Sequence, residues 1–185
     1  MSRPIGRPRV SSRATIAEAA CELFLEQGYD ATSISDITRR AGVARSSFFN
    51  YFGAKGDVLW GGFDERADAV ARALADGAPA VEALRGFAEG IEPDALALAI
   101  TNVDAMGIGA ELERDRAMRQ RRLQREVAAR LRRDGVAPLA AEVRAGAYAA
   151  AVMAALWAWA DRTWSGPPLA GLLADALTEA ARVTG

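Results

Sequence analysis

At 185 residues, 51% of them apolar, the chain is long enough to bury a core without covalent staples. Its single cysteine, Cys21, excludes an internal disulfide, and the lack of any histidine removes the commonest metal ligand and general base, so neither a metal site nor a Cys/His nucleophile is expected. The net charge of −1 hides an asymmetry: residues 1–60 carry eight cations against six acids, which is the sign a polyanion binder needs at that end.

The opening MSRPIGRPRVSS has charge but no apolar stretch, so it does not read as a secretory leader; residues 1–11 read as a flexible basic arm. A first helix is expected from about Ser12 to Gln27, with Ile16, Ala20, Leu23, Phe24 and Gln27 at helical spacing and Gly28 as its stop. Cys21 is expected to be a small packed residue on it. Thr32 or Ser33 can cap a second helix, with Asp36 placed to favour its amino-terminal dipole and Ile34 and Ile37 facing inward. Gly42 ends that helix near Ala41, and a third is expected from Arg45 to about Tyr51. Two short helices around a glycine-containing turn form a helix-turn-helix.

A long fourth helix is expected to start near Lys55, the only lysine, with Val58, Leu59, Phe63 and Ala67 on one face, and to end at Gly77-Ala78-Pro79. Further helices are expected over Ala80 to Gly90, Pro93 to Met106, Ala110 to Asp134, Leu139 to Thr163 and Leu169 to Val183. The run Glu111 to Arg133 holds nine arginines, but interleaved acids and a stripe of Leu112, Met118, Leu123, Val127 and Leu131 make it a solvated amphipathic helix rather than a second nucleic-acid site. The most apolar window, Ala145 to Ala160, is expected to be too short and too alanine-rich to span a bilayer, so no membrane partner and a cytoplasmic location are expected. No strand pattern is evident. The expected fold is all-α: a helix-turn-helix domain over 12–54 and a larger helical domain over 55–185, the latter binding effector and dimerising.

The third helix carries the chemistry. A helix entering a major groove needs short polar side chains and cations on one face and apolar anchors on the other. Phe48 and Phe52, four apart, supply the anchors. Arg45 can fork onto guanine or grip a phosphate, Ser46 and Ser47 suit phosphates or base edges, and Asn50 can pair with adenine; Phe49 and Tyr51 are left for the groove and its walls. Lys55 at a helix terminus would hold a phosphate.

The stretch AACELFLEQGYDATSISDITRRAGVARSSFFNYFGAKGDVL, within Ala14 to Leu59, resembles the amino-terminal domain of the TetR family of bacterial transcriptional regulators. The shared order is an apolar helix ending in "F…GY", then "T(S/T)…I…AGV", an aromatic-rich helix ending "YF", and a lysine opening the next helix. The resemblance implies a homodimer on a palindromic operator, a carboxy-terminal domain holding ligand pocket and dimer interface, and release of DNA by a small molecule. It implies that Thr32 and Lys55 contact phosphate and that Arg45, Ser46, Ser47, Phe49 and Asn50 face DNA with Tyr51 beside them. Departures are Ser46 for a common glycine, Phe49 for tyrosine, and Ala54 and Gly56 for the usual cap and acid around the lysine.

Arg3, Arg7 and Arg9 in RPIGRPR resemble an AT-hook core and are expected in the minor groove. Met106, Met118, Tyr148 and Trp157 are candidate walls of a pocket for an apolar or aromatic effector. No cofactor and no enzymatic activity are expected, since no phosphate loop, paired carboxylate motif or imidazole is present. The competing reading is a helical ligand-binding dimer without sequence-specific DNA binding.

Overall fold

The helix Asp57–Ala75 can run unbroken through the middle of this molecule because of its apolar spacing: Val58, Leu59, Phe63, Ala67, Val70 and Leu74 return to one face and are all buried. The computed structural model describes residues 12–161 and 166–184, and these are all-α. In order the helices are α1 (Ser12–Gln27), α2 (Ile34–Arg40), α3 (Arg45–Phe49), α4 (Asp57–Ala75), α5 (Ala80–Arg85) with a 3-10 turn at Gly86–Ala88, α6 (Ala95–Thr101), α7 (Val103–Met106), α8 (Gly109–Arg133), α9 (Pro138–Ala160) and α10 (Leu169–Thr184). α4 touches α1, α5, α6 and α8, while α9 lies between α8 and α10. The buried side chains form one continuous cluster that runs from Ile16 and Phe48 through Trp60 to Leu177.

Several boundaries differ from the sequence reading, each for a local reason. α4 begins at Asp57 rather than Lys55, because the Asp57 carboxylate accepts the Ala54 N–H at 2.8 Å and caps the turn from below. The stretch expected as one helix from Pro93 to Met106 is two. Asp94 caps α6 by accepting from Leu96 and Ala97 N–H, and Asn102, at φ −124°, breaks the run while its amide donates to the Leu98 carbonyl. α3 closes at Phe49, with Asn50 as its cap and Tyr51 in the following turn. Ala80 to Gly90 tightens into the 3-10 turn after Arg85. α9 ends at Ala160 with Asp161 as its cap, and the remainder of its expected extension to Thr163 lies outside the described residues.

The arginine-rich helix α8 is more than a solvated amphipath. Leu112, Leu123 and Val127 are buried as expected, but Met118 is 56% exposed and is not part of the stripe. The arginines instead lace α8 to α4. Arg119 reaches Asp57 and Asp64, Arg122 pairs with Asp68, Arg130 donates to the Gly77 and Ala78 carbonyls, and Arg133 to the Leu74 carbonyl. The last three interactions fasten the Leu74 carbonyl in the last turn of α4 and the Gly77 and Ala78 carbonyls of the connector just beyond it.

By length and composition α9 could cross a membrane, contrary to the expectation from its shorter window; half of its most apolar segment is buried inside the fold. It serves here as the central helix of the larger unit. Leu169, Leu173 and Leu177 of α10 point into the same core.

Candidate nucleic-acid interface and the cleft behind it

The helix-turn-helix is assembled from short-range bonds. Ser33 caps α2, not Thr32: the Ser33 hydroxyl accepts the Asp36 N–H at 3.1 Å and the Asp36 carboxylate accepts the Ser33 N–H at 3.0 Å, a reciprocal capping box. At the other end Gly42 takes φ +67°, donating to the Arg39 carbonyl, while Val43 N–H reaches Thr38. That pair of bonds requires a left-handed residue, for which glycine has no steric penalty. Arg40 then ties α2 to α1 through Glu22 and Glu26 at 3.0 and 2.6 Å.

α3 has two distinct faces. Phe48 is fully buried and Phe52 is 4% exposed, their rings 5.4 Å apart. Arg45, Ser46 and Asn50 are exposed, Ser47 is half-buried, and Phe49 and Tyr51 keep 52% and 45% of their surface in solvent. Two half-exposed aromatics beside an arginine, a serine and an amide make a surface that can stack and hydrogen-bond at once. Arg39, at the end of α2 and also exposed, is a cation the sequence reading missed; its signal was its place in the turn before Gly42.

Two of the expected phosphate contacts are turned inward. Thr32 is buried at 2% exposure, and its hydroxyl donates to the Gly28 carbonyl at 2.8 Å and accepts from Gln27 at 3.2 Å. The hydroxyl thus closes the connector between α1 and α2. Lys55 donates to the Tyr29 and Thr32 carbonyls at 2.6 and 2.9 Å and lies 3.9 Å over the Tyr29 ring. Burial pulls its ammonium below the usual lysine range, opposed by Asp30 and Glu111. Lys55 is therefore a clamp on the connector, with two of its three protons already used. Lys55→Met is expected to lower stability by about 1.5–3 kcal/mol, the range for hydrogen bonds to a charged group. Urea denaturation checks this; a purely phosphate-binding lysine would leave stability unchanged and lower only the salt slope of DNA binding.

Behind Lys55 the chain contacts the larger unit. Tyr29 N–H donates to the Met106 carbonyl at 2.8 Å, and the Tyr29 hydroxyl hydrogen-bonds Glu111. Gly56 explains its departure from the family pattern: a Cβ there would lie 3.0 Å from the Asp115 carboxylate and 3.3 Å from the Tyr29 hydroxyl. An acidic side chain in that position would meet a buried carboxylate. Arg119 fills the space beyond, bonded to Asp57 and Asp64, 3.8 Å from Asp115 and stacked 4.6 Å over Trp60.

The expected pocket walls do not come together. Met106 is fully buried beside the connector, Met118 is exposed, and Tyr148 is 9% exposed in the core around α9. Trp157 packs 6.1 Å from Trp60 with the Arg116 guanidinium 4.4 Å above it. A cleft of about 840 Å³ opens elsewhere, between α1, α4 and α6, lined among others by Arg13, Ala17, Glu18, Phe52, Gly62 and Asp94. Cys21 is on its wall, and burial, aided by Asp94, Glu18 and Glu22, pushes its thiol up to about 12. Of these residues only the adjacent glycines Gly61-Gly62 inside a helix could have signalled a close approach in sequence. Arg3, Arg7 and Arg9 lie outside the described residues.

The comparisons agree with this geometry. The family described as bacterial regulatory proteins, tetR family, matches residues 16–59, the span from α1 to the start of α4. A transcriptional repressor of Mycobacterium tuberculosis, Rv3405c, is 39% identical over 77 residues, 42% of this chain and 40% of that protein. The chain spans less than half the length of the curated relatives it matches. Among solved structures, Thermus thermophilus FadR, a TetR family repressor in complex with lauroyl-CoA, is 28% identical, with 91% of this chain and 93% of that one aligned at a TM-score of 0.52. NalD of Pseudomonas aeruginosa shares the fold at a TM-score of 0.56 and 18% identity over 91% of this chain and 96% of its own. With the motif matched at one end and the fold matched along its length, residues 16–59 are the amino-terminal domain of the tetR family of bacterial regulatory proteins, and the described chain shares the fold of TetR family structures.

Proposed function

We propose that the protein is a ligand-responsive transcriptional regulator, a repressor, that binds a palindromic operator as a homodimer and is released by a small molecule. One observation carries the reading. Arg45, Ser46, Phe49 and Asn50 stand in solvent on a helix pinned from behind by Phe48 and Phe52, which is the division of faces a major-groove reader needs. The working domain boundary falls between 54 and 55, where Lys55, Gly56 and Asp57 join the reading unit to α8. A single unit offers one half-site, so dimerisation is mechanically required. The exposed Leu139 and Val143 of α9 and Val183 of α10 supply apolar surface for it. Movement of α4 would change the separation of the two recognition helices from the roughly 34–36 Å that successive grooves demand. The protein works in the cytoplasm as a regulator rather than an enzyme, and α9 belongs to its core rather than to a bilayer.

A gel shift on the DNA flanking its own gene tests this. Arg45→Ala and Asn50→Ala are each expected to weaken operator binding by about 1–3 kcal/mol, and Asn50→Ala to relax preference at one base position. The inward turn of Thr32 and Lys55 favours one alternative, a ligand-binding dimer without sequence-specific DNA binding. Equal retardation of operator and unrelated DNA would select that alternative.

A further inference from the structure

Gly61 and Gly62 sit inside α4, where each costs about 1 kcal/mol relative to alanine, so the pair calls for a packing reason. A Cβ on Gly61 would lie 2.9 Å from the Arg13 guanidinium, and one on Gly62 would collide with the Asp94 carboxylate. The two glycines therefore let α1 and the start of α6 approach α4 from either side, and the cleft of about 840 Å³ lies between the three helices. That volume suits a small organic molecule.

Ala17, Phe52, Leu59 and Leu98 provide its apolar wall. Four carboxylates, Glu18, Glu22, Glu65 and Asp94, line it against one guanidinium, Arg13. Arg13 is paired with Glu65, and Glu22 with Arg40. Asp94 uses one oxygen to cap α6 and turns the other toward Gly62. Glu18, Glu22 and Asp94 all act on the Cys21 thiol, which places their charges around one part of the wall. Apolar walls concentrate the resulting negative potential within the cleft.

We propose that the cleft between α1, α4 and α6 binds a small organic cation with an apolar body, its charge taken by Glu18 and Asp94 and its body by Phe52, Leu59 and Leu98. The occupant touches α1 of the reading unit and α6 of the larger one, so it sets the spacing between them. Binding itself is independent of the DNA-binding reading; only the coupling of occupancy to DNA release rests on it.

Equilibrium dialysis of the full chain with tetraphenylphosphonium and tetraphenylborate, ions of like shape and opposite charge, tests the proposal. The cation is expected to be retained at least about tenfold more tightly than the anion, the scale of one charge-assisted contact. Glu18→Gln with Asp94→Asn is expected to remove about tenfold of that affinity, since asparagine retains the capping oxygen and only charge is lost. Ala17→Trp, which fills the cleft, is expected to abolish retention. Circular dichroism confirms folding, and should Asp94→Asn not fold, Glu18→Gln on the exposed wall and Ala17→Trp carry the comparison. Equal retention of the two ions, or cation binding unchanged in these variants, overturns the proposal. Operator binding without cation retention sinks the cleft alone; cation retention without operator binding sinks the regulator reading alone.

Discussion

Arg119→Ala is expected to lower stability by about 3 kcal/mol, the low end for breaking a buried ion pair, because Asp57 and Asp64 keep about a third of their side-chain surface in water. The guanidinium is 11% exposed and serves Asp57, Asp64 and Asp115 together while stacking on Trp60. Its removal leaves three carboxylates facing one another and opens space above the indole. Urea or thermal denaturation checks the loss, which corresponds to a fall in Tm of roughly 6–12 °C for a chain of this size. Arg119→Lys should recover part of it, since an ammonium keeps the charge but not the fork.

The pH dependence of that variant has a definite sign. Burial holds the Asp115 carboxyl above the usual aspartate range; Glu111 and Asp57 reinforce this and Arg119 opposes it. An acid with a raised folded pKa opposes folding at higher pH, and its penalty disappears as pH falls through that pKa. Without Arg119 the carboxyl rises further, so the variant's deficit should shrink as pH falls from neutrality through that raised pKa. A deficit that grows on acidification would contradict this account of the cluster.

Phe48→Ala is expected to cost about 3–5 kcal/mol and to abolish operator binding, because a fully buried phenylalanine is replaced by a cavity. α3 is only five residues long and has no side-chain cap, so it holds its place through Phe48 and Phe52. Hydrogen exchange should show the amides after Ala44 losing protection first. Phe48→Leu keeps most of the volume and should lose under about 1.5 kcal/mol, with operator binding retained. If Phe48→Ala binds DNA as wild type does, the anchoring role assigned to this ring is wrong.

These two variants mark the division between what could and could not be read ahead of the structure. The face of α3, the turn at Gly42 and a cap at Thr32 or Ser33 with Asp36 in the first turn were legible because each depends on residues within five positions of one another, where helix geometry dictates who meets whom; that Ser33 is the cap and forms a reciprocal box was seen only in the structure. The inward turn of Lys55 was not, since its acceptors lie 23 and 26 residues away. Nor was the role of the arginine-rich helix, whose partners on α4 are more than fifty positions distant. A charge run in sequence looks the same whether its partners are water or carboxylates on a neighbouring helix.

The cleft shows the same limit from the other side. Met106, Met118, Tyr148 and Trp157, chosen by residue type, do not line the cleft, whereas its mixed lining of apolar, small and acidic residues comes from three helices and has no signature in sequence beyond Gly61-Gly62. Periodicity, caps and turn residues were enough to specify an all-α fold with a short helix near its beginning that has one polar face and one aromatic anchor, because those preferences act along the backbone. Which cations are free to meet a phosphate, which brace α4, and where space remains between helices were decided only by tertiary packing, because each depends on side chains that folding brings together from distant parts of the chain.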